Sequence, residues 1–477
     1  MNEQAIDYSR KWYIMAAVGM GIFLSTIDGS IVNVALPTLT RYFGATFATV
    51  QWVVLAYLLA ISTLMLSVGR LADMIGKKSL YTSGFVIFTG GSILCGLAPS
   101  IYSLIAFRVI QAIGAALILA LGLAIITEAF PSSERGKALG ISGAVVSVGI
   151  VIGPTLGGLL IERFSWHWIF YVNVPVGIVG TLMAWRYVPS IKPPGGQHFD
   201  FWGAIALFIS LLSLLLALTL GQNIGFAGRR ILLLMASFVL FLVLFIIIES
   251  QIDQPMIDLQ SFRNSEFSVG LITGFITFIA VAGTIMLLPF YLENVLGYAP
   301  QQVGLLLAVV PIGLFITAPV SGALSDRLGT RPITVAGLGV LMLGYYALST
   351  LTTDTGAIGF VLRFMPIGIG MGIFQSPNNS AIMGSAPARR LGIVSGMLAF
   401  TRTVGQTTGI AMLGALWAGR VIFYAGESLS GGATEASSTA QANALQDTFL
   451  IITIVIGLAL LLALWAYIKH RRQRTSG

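Results

Sequence analysis

The chain has 477 residues, of which 56% are hydrophobic and only 9% are charged, and its formal net charge is +8. A soluble domain carries roughly 25% charged residues, so this composition excludes a protein that is hydrated on all sides. Apolar stretches of about 20 residues satisfy their backbone groups in lipid only as helices. We therefore predict an all-α polytopic membrane protein.

Apolar runs that alternate with polar breaks predict fourteen membrane-spanning helices, here called spans 1 to 14 in chain order. Span 1 is too long for the core of a signal peptide and is expected to be retained. The predicted spans are 12–39, 49–69, 80–98, 101–128, 138–161, 168–188, 201–220, 231–249, 268–292, 301–323, 333–351, 358–383, 391–418 and 446–468. Because their number is even, both termini are expected on one side of the membrane.

Basic residues are unevenly divided between the two sides of the predicted membrane. With cytoplasmic termini, 18 Lys and Arg residues lie in inside segments, 5 in outside segments and 3 within spans. Such a bias is typical of membrane proteins whose basic loops stay in the cytoplasm. We therefore predict a cell-membrane protein with both termini cytoplasmic. Its positive charge is expected to meet anionic lipid headgroups and not nucleic acid.

Span 1 contains one acidic residue, Asp28, among apolar and small polar residues. A carboxylate at membrane depth is costly and by default marks an ion or substrate pathway. A helix rises about 1.5 Å per residue, so Asp28 lies on the order of 16 Å from the outer end of span 1. By the same rise, Arg108 lies on the order of 10 Å from the outer end of span 4. We expect an Asp28–Arg108 couple in which protonation of Asp28 releases the arginine. The alternative is a fixed ion pair, which is a costly way to join two helices.

Few residues are suited to metal binding or covalent chemistry. The chain has one cysteine, Cys95, and 3 scattered histidines, so we expect no disulfide framework, no metal site and no cofactor. No phosphate loop is apparent, which argues against ATP drive. No pairing of a nucleophile with a base appears at membrane depth, so we do not expect an enzyme.

Two parts of the chain repeat at long range. GRLADMIGKK at 69–78 matches GALSDRLGTR at 322–331 at an offset of 253 residues. FRVIQAIGAA near Arg108 has a counterpart after Arg363 at an offset of 255. Two six-helix halves with a site between them at mid-depth are typical of secondary transporters. The predicted units are the first half at 1–190, an inserted pair of spans at 191–265, and the second half at 266–477.

Five motifs of the chain resemble those of one transporter family. The helix 1 motif of this family resembles IDGSIVNVALP, its loop between helices 2 and 3 resembles GRLADMIGKK, and its helix 4 motif resembles RVIQAIGAA. Its antiporter signature on helix 5 resembles GIVIGPTLGG, and the start of its helix 6 resembles WHWIFYVNVPVG. The chain thus resembles the major facilitator superfamily in its 14-helix drug:proton antiporter branch, except that His167 stands where relatives usually carry Arg. The resemblance implies the major facilitator fold, with two six-helix halves plus two inserted helices.

The repeated loop segments place charged residues beside glycines at the predicted cytoplasmic face. Their ion pairs are expected to latch the inner gate around a tight turn at 69–78 when the protein faces outward. The alternative is that the basic residues only maintain topology. The predicted gating residues are Gly69, Arg70, Asp73, Gly76, Lys78, Asp326, Arg327 and Arg331.

The helix-5 motif contains Gly149, Gly153, Pro154, Gly157 and Gly158. Three of its glycines recur every four residues and form a bare stripe that permits close helix contact. The proline is expected to bend the helix. We predict tight packing on this stripe and a role as the flexing element between the halves, while its association with antiport comes from the resemblance.

Polar and aromatic residues on spans 1, 2, 4, 12 and 13 are predicted to line a substrate cavity between the halves. Interhelical hydrogen bonding is the alternative role for the amides. The predicted lining is Asn33, Tyr57, Gln111, Arg363, Phe374, Gln375, Asn378, Arg402 and Gln406. Most of the three acids at span ends, Glu128, Glu249 and Glu293, are expected to be solvated, with Glu128 as a candidate proton exit. The segment 419–445 is expected to form an outer loop or lid.

These features predict a proton-coupled secondary exporter, an antiporter that moves amphipathic drugs or metabolites, cations among them, by alternating access. Its expected partners are a small-molecule substrate, protons and membrane lipids, and nothing in the architecture requires more than a monomer. One alternative is an exporter or flippase of lipids or anionic lipid-like metabolites on the same fold, to which Arg363 and Arg402 are suited. A second alternative is an uncoupled facilitator or membrane sensor.

Overall fold

The computed structural model describes most of the chain, and helices account for nearly all of it. The described residues are 10–131, 134–190, 200–252, 262, 264–385, 391–426 and 432–475, without the side chains at 66, 67, 69, 70, 73, 135–137, 139, 140, 223, 391–393 and 470–475. This part of the chain contains no β-strand. It forms 14 helical segments that are long and apolar enough to cross a membrane, so the predicted number of spans is confirmed.

The first six crossings form the first half. Short caps set their ends: the hydroxyl of Thr46 accepts a hydrogen bond from the Thr49 backbone, and Ser100 forms a capping box with Ser103. The helices are α1 (Lys11–Phe43), α2 (Phe47–Ile75), α3 (Lys77–Gly96), α4 (Ile101–Ala129), α5 (Arg135–Arg163), and the consecutive helices α6 (Trp168–Tyr171) and α7 (Asn173–Tyr187), which share the sixth crossing.

The inserted pair and the second half supply the other eight crossings. The inserted helices are α8 (Phe201–Ile224) and α9 (Arg229–Gln251). The second half consists of α10 (Ser265–Phe290), which continues as a π-helical turn (Tyr291–Val295), the consecutive helices α11 (Pro300–Leu307) and α12 (Val309–Leu328), then α13 (Thr330–Leu348), α14 (Ala357–Gly384), α15 (Leu391–Ala425) and α16 (Ser438–Thr475).

The two ends of the bundle are named here by the chain termini. Because the chain makes an even number of crossings, α1 begins and α16 ends at the same end of the bundle, which we call the termini side. The opposite end is called the far side. It contains the turn between α1 and α2 and the start of α11.

The repeated segments adopt the same backbone in both halves. Gly76 between α2 and α3 has φ of 101°, and Gly329 between α12 and α13 has φ of 88°. Only glycine adopts such angles without strain, and the two positions differ by the 253 residues of the repeat. The tight glycine turn expected within 69–78 lies at Gly76, since α2 runs without interruption to Ile75.

The expectation of an outer loop at 419–445 is also wrong for most of that segment. The helix α15 continues to Ala425 and α16 begins at Ser438. The small and polar residues of this segment suggested a loop, but contacts between the two helices favour the helical conformation. Asp447 accepts hydrogen bonds from Arg420 and from the hydroxyl of Tyr424, the latter at 2.8 Å.

The hydrophobic core crosses from one half to the other on the far side. One continuous cluster of buried residues includes α1, α2 and α10 to α16. At its centre the ring of Phe47 lies 5.0 Å from that of Phe290 and 4.8 Å from that of Trp417, measured between centroids. Aromatic pairs at these distances are favourable. The far side is therefore closed by direct packing between the halves.

Candidate functional site

Asp28 lies in the middle of α1 and is 0% exposed. Its Oδ2 accepts a hydrogen bond from Nη1 of Arg108 in α4 at 2.6 Å. Its Oδ1 accepts from Nε2 of Gln111 at 2.8 Å and from Nδ2 of Asn173, the first residue of α7, at 3.1 Å. Three donors thus surround one carboxylate that has no contact with solvent, which is the arrangement expected of an ionised acid in an apolar interior.

Arg108 has partners besides Asp28. Its Nε donates to the backbone oxygen of Val53 in α2 at 3.0 Å, and its Nη1 also lies 2.6 Å from Oε1 of Gln111. The guanidinium carbon lies 3.9 Å from the centre of the Tyr57 ring, a favourable cation–π distance. We call Asp28, Tyr57, Arg108, Gln111 and Asn173 the Asp28 cluster.

The Asp28 cluster contains one acid and one base, so it is neutral while Asp28 is ionised. Removing one partner of such a buried pair costs about 3–5 kcal/mol because the other charge is stranded. Protonation of Asp28 removes only the negative charge. Arg108 would then keep the Val53 carbonyl and the Tyr57 ring as partners. The arrangement is chemically suited to hold one exchangeable proton.

The glycine stripe of α5 packs against α1 on either side of Asp28. A Cβ atom at Gly149 would clash with Thr26, and one at Gly153 would clash with Ser30. The hydroxyl of Ser30 also lies 3.3 Å from the backbone oxygen of Gly149. Larger residues on the stripe would separate the two helices, so the predicted close packing of α5 occurs next to the acid.

The far-side end of α5 packs in the same way against the second half. A Cβ atom at Gly158 would lie 2.9 Å from the Cα atom of Gln301 and closer still to the backbone oxygen of Pro300. On the opposite surface, Gly304 of α11 has room for no side chain beside the backbone oxygen of Pro154. The helix α5 therefore contacts both the neighbourhood of Asp28 and the other half of the protein.

An ion pair joins the two halves on the far side. Nη2 of Arg41, in the last turn of α1, lies 2.5 Å from Oε2 of Glu293, in the π-helical turn after α10. The side chain of Glu293 is only 2% exposed, so the expectation of a solvated acid is wrong at this position. Nearby, the backbone nitrogen of Gln301 donates to Glu162 at 3.1 Å.

On the termini side, the ion pairs between described residues stay within one half. Lys11 pairs with Glu134 at 2.6 Å, and Lys77 pairs with Glu128. Across the part of the chain that the structure describes, every hydrogen bond or ion pair between the first and second halves lies on the far side. The structure therefore has its halves in contact on the far side.

Comparison with known proteins identifies the family. The sequence profile described as Major Facilitator Superfamily matches residues 18–410. The chain belongs to the major facilitator superfamily. It is 35% identical over 410 residues to the riboflavin transporter RibZ of Clostridioides difficile, covering 86% of this chain and 89% of that protein. It is 32% identical over 409 residues to the multidrug transporter protein MdtP of Bacillus subtilis, covering 86% of this chain and 75% of that protein.

Solved structures agree on the fold of this transporter. A bacterial homologue of the human lysosomal transporter Spinster, in an inward-facing and unoccupied conformation, superimposes with a TM-score of 0.66 at 19% identity over 96% of this chain and 97% of that one. The nucleoside transporter NupG superimposes with a TM-score of 0.63 at 12% identity over 95% and 99%. These likenesses confirm the predicted major facilitator fold.

The predicted gating residues of this transporter are only partly placed. Gly69, Arg70 and Asp73 belong to α2, and the side chains of Arg70 and Asp73 lie outside the described part of the chain. Gly76 forms the turn described above, and Lys78 beside it is partly exposed. In the second repeat, Asp326 and Arg327 are exposed at the end of α12. Arg331 pairs with Glu266 of the same half at 3.2 Å.

The predicted cavity residues of the first half are buried and already bonded within it. Tyr57 and Gln111 belong to the Asp28 cluster and are 2% and 0% exposed. Asn33 is 9% exposed and donates to the backbone oxygen of Gly29 in its own helix at 3.0 Å. In this conformation the three side chains are buried within the first half, and among the described residues the hydroxyl of Tyr57 has no hydrogen-bond partner.

The predicted cavity residues of the second half occupy different depths. Arg363 lies near the far side, where it donates to Oγ1 of Thr350 at 2.9 Å and to the backbone oxygen of Gly359 at 3.0 Å. Asn378 is buried and donates to the backbone oxygen of Gly270 at 3.1 Å. The others are Phe374, which is buried beside Gly337, and the partly exposed Gln375, Arg402 and Gln406.

Sequence reasoning missed two components of this site. Asn173 is a partner of Asp28, and its only signal is a polar residue at membrane depth inside the motif WHWIFYVNVPVG. The pair of Arg41 and Glu293 joins residues 252 positions apart, at the ends of two spans where charged residues are ordinary. Charge alone gave no reason to connect them.

Proposed function

We propose that this transporter is a proton-coupled secondary exporter that binds amphipathic drugs or metabolites in a cavity between its halves. The observation that carries the proposal is the Asp28 carboxylate, fully buried at membrane depth and held by three donors of the same half. An intramembrane acid of this kind is by default part of an ion pathway. Its relatives RibZ and MdtP are named as transporters of riboflavin and of multiple drugs, which supports a small organic substrate.

In the proposed mechanism, Asp28 binds the proton that drives export. With Asp28 ionised, Arg108, Gln111 and Asn173 draw α1, α4 and α7 together. Protonation removes the charge that attracts these donors, since hydrogen bonds to an ionised group are roughly twice as strong as neutral ones. The contacts then loosen, and α1 shifts against its neighbours.

The shift of α1 is passed to the second half through α5. The stripe of Gly149 and Gly153 leaves no gap beside α1, and Gly158 leaves none beside α11. A displacement of α1 must therefore move α5, and α5 must in turn move or release the far-side contact. Tight interfaces of this kind adopt discrete arrangements and do not deform continuously.

The proposed orientation places the termini side in the cytoplasm, because 18 Lys and Arg residues lie in segments on that side and 5 on the other. The far-side closure then corresponds to an inward-facing state, ready to take up substrate from the cytoplasm. Opening of the far side would admit protons to Asp28 as substrate leaves. We propose that 1–190 and 266–477 move as the two units, and that a monomer in the cell membrane carries out the cycle.

The proposal is tested by measuring proton movement in proteoliposomes that enclose a pH-sensitive dye. Amphipathic compounds, riboflavin and rhodamine 123 included, are added to wild-type protein and to Asp28→Asn. The expected result is a substrate-evoked pH change in the wild type that is lost in Asp28→Asn. The matched control is Asp354→Asn, which makes the same chemical change at an exposed acid and is expected to behave as the wild type.

Two results would contradict the proposal. A substrate-evoked pH change of wild-type size in Asp28→Asn would remove Asp28 from the proton pathway. Transport of substrate by the wild type with no pH change and no dependence on a pH gradient would support an uncoupled facilitator instead.

A further inference from the structure

Arg402 is a cation within the membrane-spanning part of α15 that has no counter-charge among the described residues. It is the twelfth residue of a 35-residue helix, well away from either end, and its side chain is partly exposed. Its guanidinium carbon lies 5.9 Å from the centre of the Phe278 ring in α10. Among the residues that the structure describes, no hydrogen bond or ion pair to Arg402 is formed.

The other two arginines at membrane depth differ from Arg402 in this respect. Arg108 pairs with Asp28 at 2.6 Å, and Arg363 donates to Thr350 and to a backbone oxygen. A guanidinium within the membrane is costly unless it has partners. The lack of partners for Arg402 therefore calls for a ligand that supplies them.

Four acidic side chains of the described chain are bound to basic residues other than Arg402. Asp28 is sealed in its cluster, and Glu293 binds Arg41. Glu266 binds Arg331 on the termini side, and Asp447 binds Arg420 on the far side. No described carboxylate forms an ion pair with Arg402, and its side chain is partly exposed, so its positive charge is accessible to a ligand.

We propose that Arg402 binds an acidic group, a carboxylate or a phosphate, on the transported molecule, and that Phe278 packs against the adjoining apolar part. This inference rests on the proposed function and specifies its substrate class. The planar guanidinium matches such oxyanions with two parallel hydrogen bonds. Gln406 follows Arg402 at i+4, on the same face of α15, and is also partly exposed, so its amide adds a donor beside the site.

This site changes the expected charge of the substrate. A purely cationic substrate would need a free carboxylate, yet Asp28 already accepts three hydrogen bonds and is 0% exposed. Among the described residues, the charge at membrane depth that lacks a hydrogen-bond or ion-pair partner is the positive charge of Arg402. The transporter is therefore expected to prefer acidic or zwitterionic amphipathic molecules over their neutralised or cationic analogues.

The test uses two dyes with one ring system, rhodamine 110, which carries a free carboxylate, and rhodamine 123, its methyl ester. Binding to the purified protein in neutral detergent at neutral pH is measured by fluorescence polarisation. The wild type is expected to bind the acid about tenfold more tightly than the ester, as charge-assisted hydrogen bonds imply. Arg402→Gln should lose this preference while keeping its affinity for the ester, which shows that the variant is folded.

Two further variants make the result specific. Arg402→Lys keeps the charge but not the planar fork, and it should retain part of the preference. Arg163→Gln makes the matched change at an exposed arginine on the far side and should leave the preference unchanged. A wild type that binds both dyes equally would overturn the inference. So would an unchanged preference in Arg402→Gln, or a preference lost in Arg363→Gln instead.

A competition experiment distinguishes the two sources of an acidic group. If the site also accepts lipid headgroups, phosphatidylglycerol in the micelles should displace rhodamine 110 from the wild type and not from Arg402→Gln. Phosphatidylcholine, which has no net charge, is the control and should not displace the dye. Displacement by the anionic lipid would extend the site to acidic lipid headgroups, and its absence would restrict the site to soluble acids. Because binding is measured without a pH gradient, a failure of proton coupling leaves this test unaffected.

Discussion

Replacement of Gly158 by alanine tests the coupling between α5 and the second half. The added Cβ atom would lie 2.9 Å from both Cα of Gln301 and the backbone carbon of Pro300, with the Pro300 oxygen nearer still. Carbon atoms in favourable contact lie about 3.5–4.0 Å apart. Backbone atoms cannot rotate away, so α5 and α11 must separate by roughly 0.6 Å or more before the methyl group fits.

The cost of this separation falls on one conformation. Overpacking of a close interface costs typically about 1–3 kcal/mol, and in the proposed cycle the contact exists only while the far side is closed. A cost of about 2 kcal/mol changes the ratio of closed to open molecules roughly 30-fold in favour of far-side opening. The matched control is Gly143→Ala in the same helix, because a Cβ atom at Gly143 meets nothing within 4 Å.

The population is measured by double electron–electron resonance between spin labels at positions 102 and 346. Tyr102 in the first half and Tyr346 in the second are 73% and 59% exposed, and both lie toward the far side. The single native cysteine, Cys95, is fully buried and will not be labelled. Gly158→Ala should add a longer distance that Gly143→Ala lacks. Identical distance distributions in the two variants would refute the proposed role of the α5 contact.

Two other substitutions probe the far-side ion pair and the proton site. Glu293→Gln should favour far-side opening about fivefold, since an ion pair whose arginine is exposed contributes about 1 kcal/mol. The exchange Arg41→Glu with Glu293→Arg should restore the wild-type spin-label distances. Failure of the exchange would mean that the pair does not latch the halves. Asn173→Ala removes one hydrogen-bond donor to Asp28, a loss of about 1 kcal/mol. It should lower proton-driven uptake into proteoliposomes roughly fivefold while substrate exchange persists. Equal losses of uptake and exchange would indicate damage to the fold.

Much of the fold could be predicted from the sequence, because lipid imposes strong rules. The lengths of the apolar segments predicted the fourteen crossings, and the repeat at an offset of 253 residues indicated matching turns at Gly76 and Gly329. The limits of helices were predicted less well. Small and polar residues in 419–445 suggested a loop, yet helix contacts through Asp447 extend both neighbouring helices.

The site was predictable only where residues are unusual for their depth. Asp28 and Arg108 stood out as charges in apolar spans, and their depths allowed the contact that the structure contains. Tyr57 and Gln111 were assigned to a cavity, because a sequence does not say which face of a helix meets a neighbour. The structure places both in the Asp28 cluster, although their role in transport remains a prediction.

Contacts between distant span ends were beyond sequence reasoning. Arg41 and Glu293 each look like ordinary interfacial charges, and only the packing of the halves brings them to 2.5 Å. The same packing distinguishes Arg402 from Arg363. Both are arginines on predicted spans, but only Arg363 reaches hydrogen-bond acceptors among the described residues.

The most direct test of the account compares two transport modes in Asp28→Asn. Uptake driven by an imposed pH gradient requires a proton to bind and dissociate in each cycle, whereas exchange of labelled for unlabelled substrate at equal pH requires only substrate binding and alternating access. The account predicts that Asp28→Asn loses gradient-driven uptake and keeps exchange near the wild-type rate. Gradient-driven uptake that persists in Asp28→Asn, with exchange intact, would contradict the claim that Asp28 carries the proton.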